Sequence, residues 1–463
     1  MRYAPPGLCL NDFTLLDLPD GYHVVHLQGP WNDRFDERSM ETSYGHARST
    51  DLVEWETLGP CFGVGRPGAF DASAIWTMHA FPCAGGTAMT YTGVRTTPRP
   101  EQAIGLAFTD RPDATGWMRV STDPLLVADP RWYRTEADAA WRDPFVVREQ
   151  SRWAMVLAAS SAAHHPDAGG CLALALSDDL LRWETGPPVV LPGDVPEVEC
   201  PALERTADGW LLLACVSVTR RVHCWVAEDL EGPWTALGPV GPAGPYAPRL
   251  VDGPAGERLV LHTSQRRTGL ANTGTPCRGT LAQPKLLDLS DPLRPRLRWW
   301  PGAERHIERR PAEDAVLGLV DVAARPGTRV LLRGTAASPE LVLDCAAGSV
   351  ALRRDGGAAE VRAELDNPLG RIKILQVGEY VEVYADDVLV LAELDYRAPV
   401  RPALLGAGRT VPLPVRPVRS IGAERDDVSA LASQARVSSW VLPGSGVPSR
   451  GSPLVGRIRL RQG

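Results

Sequence analysis

The sequence contains no apolar run that approaches the roughly 20 residues a membrane-spanning helix needs. Its first residues include one Arg but no apolar stretch long enough for the core of a signal peptide. The 49 basic and 56 acidic side chains are mixed along the chain, with a net charge of -7 and no basic stripe. These absences predict a cytoplasmic protein that binds neither a membrane nor nucleic acid.

The number and spacing of the Cys and His residues predict neither disulfides nor a metal-binding motif. The nine cysteines are odd in number and scattered through apolar segments, which favours buried, reduced thiols. No Cys or His residues fall into the paired spacing typical of a metal site. We therefore expect no metal and no cofactor. The oligomeric state is left open.

Helical periodicity is scarce, and short strand-like runs between Pro and Gly residues dominate, which indicates an all-β protein. Within it a phrase recurs: STDLVEWE at 49–56 matches SDDLLRWE at 177–184 almost residue for residue. Looser copies end at Trp117 and Trp234. The Trp residues of the four copies are separated by 62, 66 and 51 residues, and a four-stranded propeller blade with its turns needs about 40–60 residues. We predict a five-bladed β-propeller over residues 1–300.

Each repeated phrase also has a predicted local role. The Asp is expected to open a turn by accepting backbone N–H groups, and the Trp is expected to pack between blades. After residue 300 the phrase disappears and alternating strands follow, such as residues 371–375 and 380–384, with Ile372, Ile374, Val381 and Val383 facing one way. This pattern predicts a β-sandwich over 312–405. A tail rich in Arg, Pro and Ser, 406–463, is expected to pack back irregularly or to be partly mobile.

Acidic residues recur near the start of successive predicted blades. Asp12, Asp71, Asp143 and Glu199 are separated by 59, 72 and 56 residues. Because the innermost strands of a propeller converge on a central funnel, these carboxylates are expected to meet there.

Three motifs carry a resemblance to a known family. Asn11-Asp12 stands at the start of the first blade, Arg142-Asp143-Pro144 at the third, and Glu199-Cys200-Pro201 at the fourth. With supporting matches at Gln28 and at Tyr246-Ala247-Pro248, the sequence resembles glycoside hydrolase family 32, the invertase, levanase and inulinase group, from about residue 8 to 405. The resemblance implies a propeller followed by a β-sandwich and a sugar or glycoside as substrate.

The resemblance also implies residue roles. Asp12 would attack the anomeric carbon of a terminal fructofuranosyl unit, Glu199 would act as acid and then as base, and Asp143 would stabilise the transition state. Retention requires the two outer carboxyl groups to lie about 5 Å apart. The substrate-binding residues implied or suggested are Asn11, Gln28, Asp71, Trp76, Arg142, Cys200 and Tyr246. Trp31 and Trp141 are further candidates for stacking on a sugar ring.

Two departures from the family pattern keep alternatives open. Phe13-Thr14-Leu15 replaces the family's Pro-Asn-Gly after the nucleophile, and residues 76–79 (WTMH) replace a Trp-Ser-Gly-Ser type phrase. The sugar, the linkage, and hydrolysis versus transfer are therefore undetermined. One alternative is an inverting furanosidase similar to glycoside hydrolase family 43, with carboxyl groups roughly 6.5–9.5 Å apart. The other is a non-hydrolytic carbohydrate-binding propeller.

Overall fold

The computed structural model describes residues 2–30, 41–96, 100–357, 359–406 and 409–419, and its regular structure is almost entirely β-strand. The helical segments in these ranges are short 3-10 turns at Pro166–Ala168, Thr268–Leu270, Pro301–His306 and Asp355–Gly357. In the part of the chain described, no helix is long and apolar enough to cross a membrane.

After the two-residue strand β1 (Arg2–Tyr3), strands β2 to β22 form five antiparallel sheets. The first sheet contains β2 (Leu8–Leu18), β3 (Gly21–Pro30), β4 (Ser43–Ser49) and β5 (Glu56–Gly63). The second contains β6 (Ala74–Cys83), β7 (Gly86–Thr96), β8 (Pro100–Thr109) and β9 (Met118–Arg119). The third contains β10 (Trp141–Glu149), β11 (Arg152–Ser160), β12 (Gly170–Ser177) and β13 (Glu184–Thr185). The fourth contains β14 (Val198–Thr206), β15 (Gly209–Val216), β16 (Arg221–Ala227) and β17 (Thr235–Pro239). The fifth contains β18 (Pro245–Asp252), β19 (Arg258–Arg267), β20 (Pro276–Ala282), β21 (Lys285–Asp288) and β22 (Arg296–Trp299).

The five sheets are blades arranged in a ring. Their strands pair antiparallel, and the first strands contact one another in the cyclic order β2, β6, β10, β14, β18 and back to β2. In the fifth blade β19 pairs with both β20 and β21, and β20 also pairs with β1 and with Leu10 of β2, which joins the last blade to the first. This arrangement confirms the predicted five-bladed propeller.

The repeated phrase forms the turn between the third and fourth strands of a blade. In the first blade the Asp51 carboxylate accepts the N–H groups of Val53 and Glu54, both at 2.9 Å. In the third blade the Asp179 carboxylate accepts the equivalent N–H groups of Leu181 and Arg182. The prediction that Asp opens this turn is confirmed.

The four Trp residues of the phrase lie in four different apolar clusters. Trp117 packs among side chains of blades one and two, Trp183 among those of blades two and three, and Trp234 among those of blades three and four. Trp55 packs against the cluster that contains side chains of blades one and five. The predicted packing of these Trp residues between blades is confirmed.

Two further sheets form a β-sandwich after the propeller. One has the order β23 (Gly318–Ala323), β28 (Arg371–Val377), β29 (Tyr380–Ala385) and β30 (Val388–Leu394). The other has the order β27 (Ala359–Glu364), β26 (Ser349–Arg354), β25 (Pro339–Ala346), β24 (Arg329–Gly334), β31 (Pro399–Gly406) and β32 (Arg409–Pro412). Ile372, Ile374, Val381 and Val383 all lie in the apolar core of this sandwich, as their alternation predicts.

The other face of β29 contacts the propeller. Tyr384 packs edge-on against Trp299 with ring centroids 5.3 Å apart, and Lys285 of β21 pairs with Glu382 of β29. Beyond β32, Val415 and Val418 form isolated bridges to residues near the propeller–sandwich junction. Residues 420–463 of the predicted tail lie outside the described residues. The domain limits 1–300, 312–405 and 406–463 stay a proposal.

Candidate active site

The innermost strand of every blade carries a β-bulge at the same place. In β2, Leu10 pairs with Gln28 and Phe13 with His26, so two residues face one on β3. The same break in register occurs in β6, β10, β14 and β18. The five bulged pairs are Asn11-Asp12, Trp76-Thr77, Asp143-Pro144, Cys200-Pro201 and Ala247-Pro248. Each bulge re-aims side chains at the centre of the ring, where the first strands meet.

Local sequence explains three of these bulges. A proline inside a strand cannot donate to the ladder and is tolerated at a bulge. Asp143, Cys200 and Ala247 each precede such a proline and adopt positive φ angles of 59°, 52° and 48°. The R-D-P and E-C-P motifs therefore shape the backbone at the bulge and also supply side chains.

Asp12 is a nearly buried carboxylate shared among blades. Its Oδ2 accepts a short hydrogen bond from the Thr77 hydroxyl of blade two and lies 3.5 Å from Cys200 Sγ of blade four. Burial raises the pKa of Asp12 to about 7, with a further contribution from the negative charge of Asp143. A carboxyl in this environment holds its proton well above the range of an exposed Asp.

Asp143 and Cys200 are held against each other. The Cys200 N–H donates to Asp143 Oδ2 at 2.9 Å, the Cys200 Sγ lies 3.6 Å from the same oxygen, and the Asp143 N–H donates to Thr92 Oγ1 at 3.0 Å. Burial raises the pKa of Asp143, and the charge of Arg142 opposes that rise. Burial also raises the pKa of the Cys200 thiol well above its usual value, so Cys200 acts here as a neutral neighbour of two carboxyl groups.

Glu199 is fixed at both oxygens. Arg142 Nη2 donates to Glu199 Oε1 at 2.8 Å, and the Tyr246 hydroxyl of blade five donates a short hydrogen bond to Oε2. Arg142 also donates to Glu197 Oε1 at 2.8 Å. Because Glu199 directly precedes Cys200, these contacts bring Asp12, Asp143 and Glu199, from blades one, three and four, into one cluster.

The remaining sequence-predicted residues have differing positions. Asn11 and Trp76 occupy the same bulge position in blades one and two and are partly exposed, and Gln28, partly exposed beside them on β3, donates to Ser43 Oγ at 3.2 Å. Asp71 is fully buried and accepts from Arg119 Nε at 2.7 Å and from the Tyr91 hydroxyl at 3.0 Å. These contacts give Asp71 a structural role.

Trp141, one of the two additional Trp candidates, does not reach the cluster as predicted. Trp141 is 1% exposed and donates its indole N–H to Leu126 O at 3.3 Å. Stacking of Trp141 on a sugar ring is therefore a wrong prediction, because its ring is part of the core. Trp31 lies outside the described residues.

Two groups of side chains bring potential metal-ligand atoms within 4.8 Å of one another: Asp12, Asp143 and Cys200, and, far from them in the chain, Asp51, Glu54 and His306. A thiol binds a metal as thiolate, and the Cys200 thiol is held protonated. In the second group, His306 Nδ1 lies 2.9 Å from Glu54 Oε1 and His306 Nε2 lies 3.2 Å from Asp51 Oδ2. These contacts already link the residues after β22 to the first blade.

Comparison with protein families identifies the N-terminal half. Residues 3–223, which include Asp12, Asp143 and Glu199, match the model for the glycosyl hydrolases family 32 N-terminal domain. The matched segment is therefore similar to glycoside hydrolase family 32. The resemblance inferred from the three motifs is confirmed.

Two curated relatives align with part of this chain. It is 28% identical over 184 residues to a probable sucrose-6-phosphate hydrolase of Vibrio cholerae, covering 39% of this chain and 30% of the relative. It is 31% identical over 164 residues to a β-fructofuranosidase, insoluble isoenzyme 5, of Oryza sativa subsp. japonica, covering 34% of this chain and 28% of the relative. The matched segments thus span less than a third of these relatives' lengths.

A solved structure is similar to this chain over most of its length. The sucrose-6-phosphate hydrolase from Lactobacillus gasseri superposes with a TM-score of 0.67 at 16% identity, covering 88% of this chain and 89% of that one. At this identity the likeness establishes the fold, the propeller with its sandwich.

Sequence reasoning missed Thr77 and Arg249 as neighbours of the cluster. Thr77 donates to Asp12, and Arg249, almost fully buried on β18, donates from Nε to Phe13 O at 2.9 Å. The available signal was positional: Arg249 directly follows Tyr246-Ala247-Pro248, the third strand segment with a proline at the bulge. Phe13-Thr14-Leu15, which replaces the family's Pro-Asn-Gly, continues strand β2. Within it, Thr14 Oγ1 accepts the Ala80 N–H at 3.0 Å.

Proposed function

We propose that this protein is a retaining glycosidase that cleaves a terminal β-fructofuranosyl unit from a small sugar or glycoside. The observation that carries the proposal is the contact of Cys200 Sγ with Asp12 at 3.5 Å and with Asp143 at 3.6 Å, directly beside Glu199. Glu199 of blade four then lies next to a residue that contacts the carboxyl groups of blades one and three, and double displacement at an anomeric carbon requires a pair of carboxyl groups.

Asp12 is the proposed nucleophile. Its Oδ2 is occupied by Thr77 and Cys200, so attack on the anomeric carbon falls to Oδ1. A bond forms between that oxygen and the anomeric carbon as the bond to the leaving oxygen breaks. The covalent intermediate divides one difficult displacement into two easier ones.

Glu199 is the proposed acid and base. It gives its proton to the leaving oxygen in the first step, then takes a proton from the water that attacks the anomeric carbon in the second. Arg142 and Tyr246 fix the orientation of its carboxyl group. Asp143 supplies negative charge where the sugar ring becomes positive in the transition state.

The stereochemical course tests this mechanism. The protein should be incubated in dilute methanol with sucrose, sucrose 6-phosphate, a levan-type oligosaccharide and 4-nitrophenyl α-L-arabinofuranoside. We expect a fructosyl substrate to give methyl β-fructofuranoside as the first transfer product by proton NMR, and mass spectrometry to find the fructosyl adduct on the peptide containing Asp12.

Asp12→Asn and Glu199→Gln serve as matched controls in that experiment. An α-anomer formed first would indicate inversion and place this protein with the family 43 type mechanism. Turnover by both variants as fast as by the parent would contradict the roles of Asp12 and Glu199, and no turnover of any of these substrates by the parent would support the non-hydrolytic alternative.

The pH dependence of kcat/KM is a second expected result. Asp12 must be ionised to attack, and burial, with the charge of Asp143, raises its pKa to about 7. We expect kcat/KM to rise about tenfold per pH unit below that value. Because the carboxyl groups of Asp12 and Asp143 interact, the position of this acid limb of the pH profile reflects the titration of both. Asp143→Asn should move the limb to lower pH, whereas a flat profile across this range would contradict the assignment of the nucleophile.

A further inference from the structure

Arg249 is a buried cation whose charge has no carboxylate partner in direct contact. It lies on β18 immediately after the bulge of blade five and is 2% exposed. Among the described residues no carboxylate lies within 4.0 Å of its guanidinium, although buried Arg residues are ordinarily paired. The contrast with Arg142, which contacts Glu197 and Glu199 directly, is clear.

The guanidinium instead holds backbone carbonyls of three blades. Nε donates to Phe13 O of blade one at 2.9 Å, and Nη1 donates to Pro248 O of blade five at 2.8 Å and to Pro201 O of blade four at 3.3 Å. Nη2 has no hydrogen-bond partner in the part of the chain that the structure describes. All of these carbonyls lie in or next to a bulge, and they are neutral, so the positive charge is not cancelled by its own contacts.

The uncompensated negative charge of the cluster lies on the same side chains that these bulges present. The titratable or charged groups around Asp12 are Asp143, Glu199, Cys200 and Arg249, and those that Arg249 influences further are His79 and Cys215. Arg142 is engaged by Glu197 and Glu199. Among the described residues, Arg249 is then the cation that remains to balance Asp12.

We propose that Arg249 is a positioning residue that clamps the bulges of blades one, four and five and serves as the fixed counter-charge of the Asp12 carboxylate. Its charge favours the ionised form of Asp12, and its contact with Phe13 O sets the backbone immediately after Asp12. The stability part of this proposal is independent of the reaction, whereas the kinetic part rests on the proposed function.

A stability cycle tests the counter-charge without any substrate. Melting temperatures are measured for the parent, Arg249→Gln, Asp12→Asn and the double variant at about pH 8.5 and about pH 5, on either side of the pKa of Asp12. We expect Arg249→Gln to lower the melting temperature more in the parent than in Asp12→Asn at the higher pH, and equally in both at the lower pH. Equal losses at both pH values overturn the counter-charge role.

The kinetic test separates charge from shape. Removing a nearby positive charge should move the acid limb of kcat/KM upward by about one pH unit, which is about a tenfold loss at pH 6 and about twofold at pH 8. Arg249→Lys keeps the charge and should restore the position of the limb, even where its lost hydrogen bonds lower the melting temperature. A limb that stays in place in Arg249→Gln overturns the proposal.

Arg333 offers the matched control. It is a fully buried Arg of the sandwich that donates to Gln376 Oε1 and lies far in the chain from the cluster. Arg333→Gln should lower the melting temperature without moving the acid limb. If Arg249→Gln does not fold, Arg249→Lys alone carries the test. Because this variant keeps the positive charge, an acid limb of kcat/KM displaced upward in Arg249→Lys would overturn the counter-charge role. If every substrate fails with the parent protein, the proposed function fails while the stability cycle still decides the role of Arg249.

Discussion

Asp12→Asn is expected to abolish turnover and, in the same molecule, to raise the free energy of unfolding above neutral pH. Loss of a nucleophile costs on the order of 10⁴-fold or more in kcat. The gain in stability follows from burial: the carboxyl of Asp12, whose pKa is raised to about 7, is ionised against the preference of its surroundings at higher pH. An amide has the same shape, still accepts from Thr77, and carries no charge.

The gain should depend on pH in a defined direction. In the unfolded chain the pKa of Asp12 has its ordinary value of 3.8, and in the folded protein burial raises it to about 7. Between these values the folded state binds more protons, so the parent loses stability as pH rises through that window and regains none above it. We expect Asp12→Asn to be more stable than the parent by about 1–4 kcal/mol at about pH 8 and to show no such gain at about pH 4.

A second buried aspartate provides the control with the opposite sign. Asp71 is fully buried, but its carboxylate accepts from Arg119 and Tyr91. Asp71→Asn leaves the Arg119 cation without its partner and should destabilise the fold by about 1–3 kcal/mol. Urea unfolding of the two variants at both pH values is the measurement. Destabilisation by Asp12→Asn at the higher pH would show that its carboxylate is better solvated or paired than its contacts indicate.

The opposite changes in stability expected for Asp12→Asn and Asp71→Asn distinguish the proposed nucleophile from a structural aspartate. Groups gathered for chemistry are not at their optimum for stability, and replacing them commonly stabilises a protein at the expense of activity. Asp71 and Asp12 are both nearly inaccessible, and burial alone does not distinguish them. A cation in direct contact, which Asp71 has in Arg119, does.

The propeller was predictable because one local phrase repeats. The Asp and Trp of STDLVEWE and SDDLLRWE mark the connection between the third and fourth strands, and each contact they make is either within a few residues or between neighbouring blades. A repeated sequence therefore gives a repeated structure. The polar face of β29 was not predictable in the same way. Its alternating pattern suggests a solvated face, yet Glu382 and Tyr384 are fully buried because the propeller covers them.

The candidate site was predictable only where a motif is intact. Asp143 and Glu199 lie in complete motifs, and the bulge geometry explains why a proline follows each motif's second residue. The hydrogen bond from Thr77 to Asp12 joins residues 65 apart in the chain, and that from Arg249 to Phe13 joins residues 236 apart. Neither residue belongs to a motif, since each is selected by register in its own blade. Such contacts become visible only when the blades are placed in a ring.

The junction between propeller and sandwich depends on a charge pair buried on both sides. Lys285 of β21 and Glu382 of β29 are both fully buried and in contact. Glu382 also accepts from the hydroxyl of Tyr380 at 2.9 Å and from Gln283 Nε2 at 2.7 Å. Although burial opposes it, the charge of Lys285 lowers the pKa of Glu382, while burial lowers the pKa of Lys285 itself. Each charge is tolerated only because the other is present.

Lys285→Met should therefore destabilise the protein by about 3–5 kcal/mol, because it leaves the Glu382 carboxylate buried without a cation. Adding Glu382→Gln should recover much of that loss, since the amide still bonds to Tyr380 and Tyr384 without carrying a charge. As a control, Arg95→Met breaks the exposed pair with Glu101 and should cost no more than about 1 kcal/mol. Urea unfolding provides all three values.

Because no contact of the Asp12 cluster passes through Lys285 in the described residues, kcat of Lys285→Met below its melting transition should stay within about twofold of the parent. A large loss of kcat, or a double variant no more stable than Lys285→Met, would mean that the junction holds the catalytic blades in place by more than this pair.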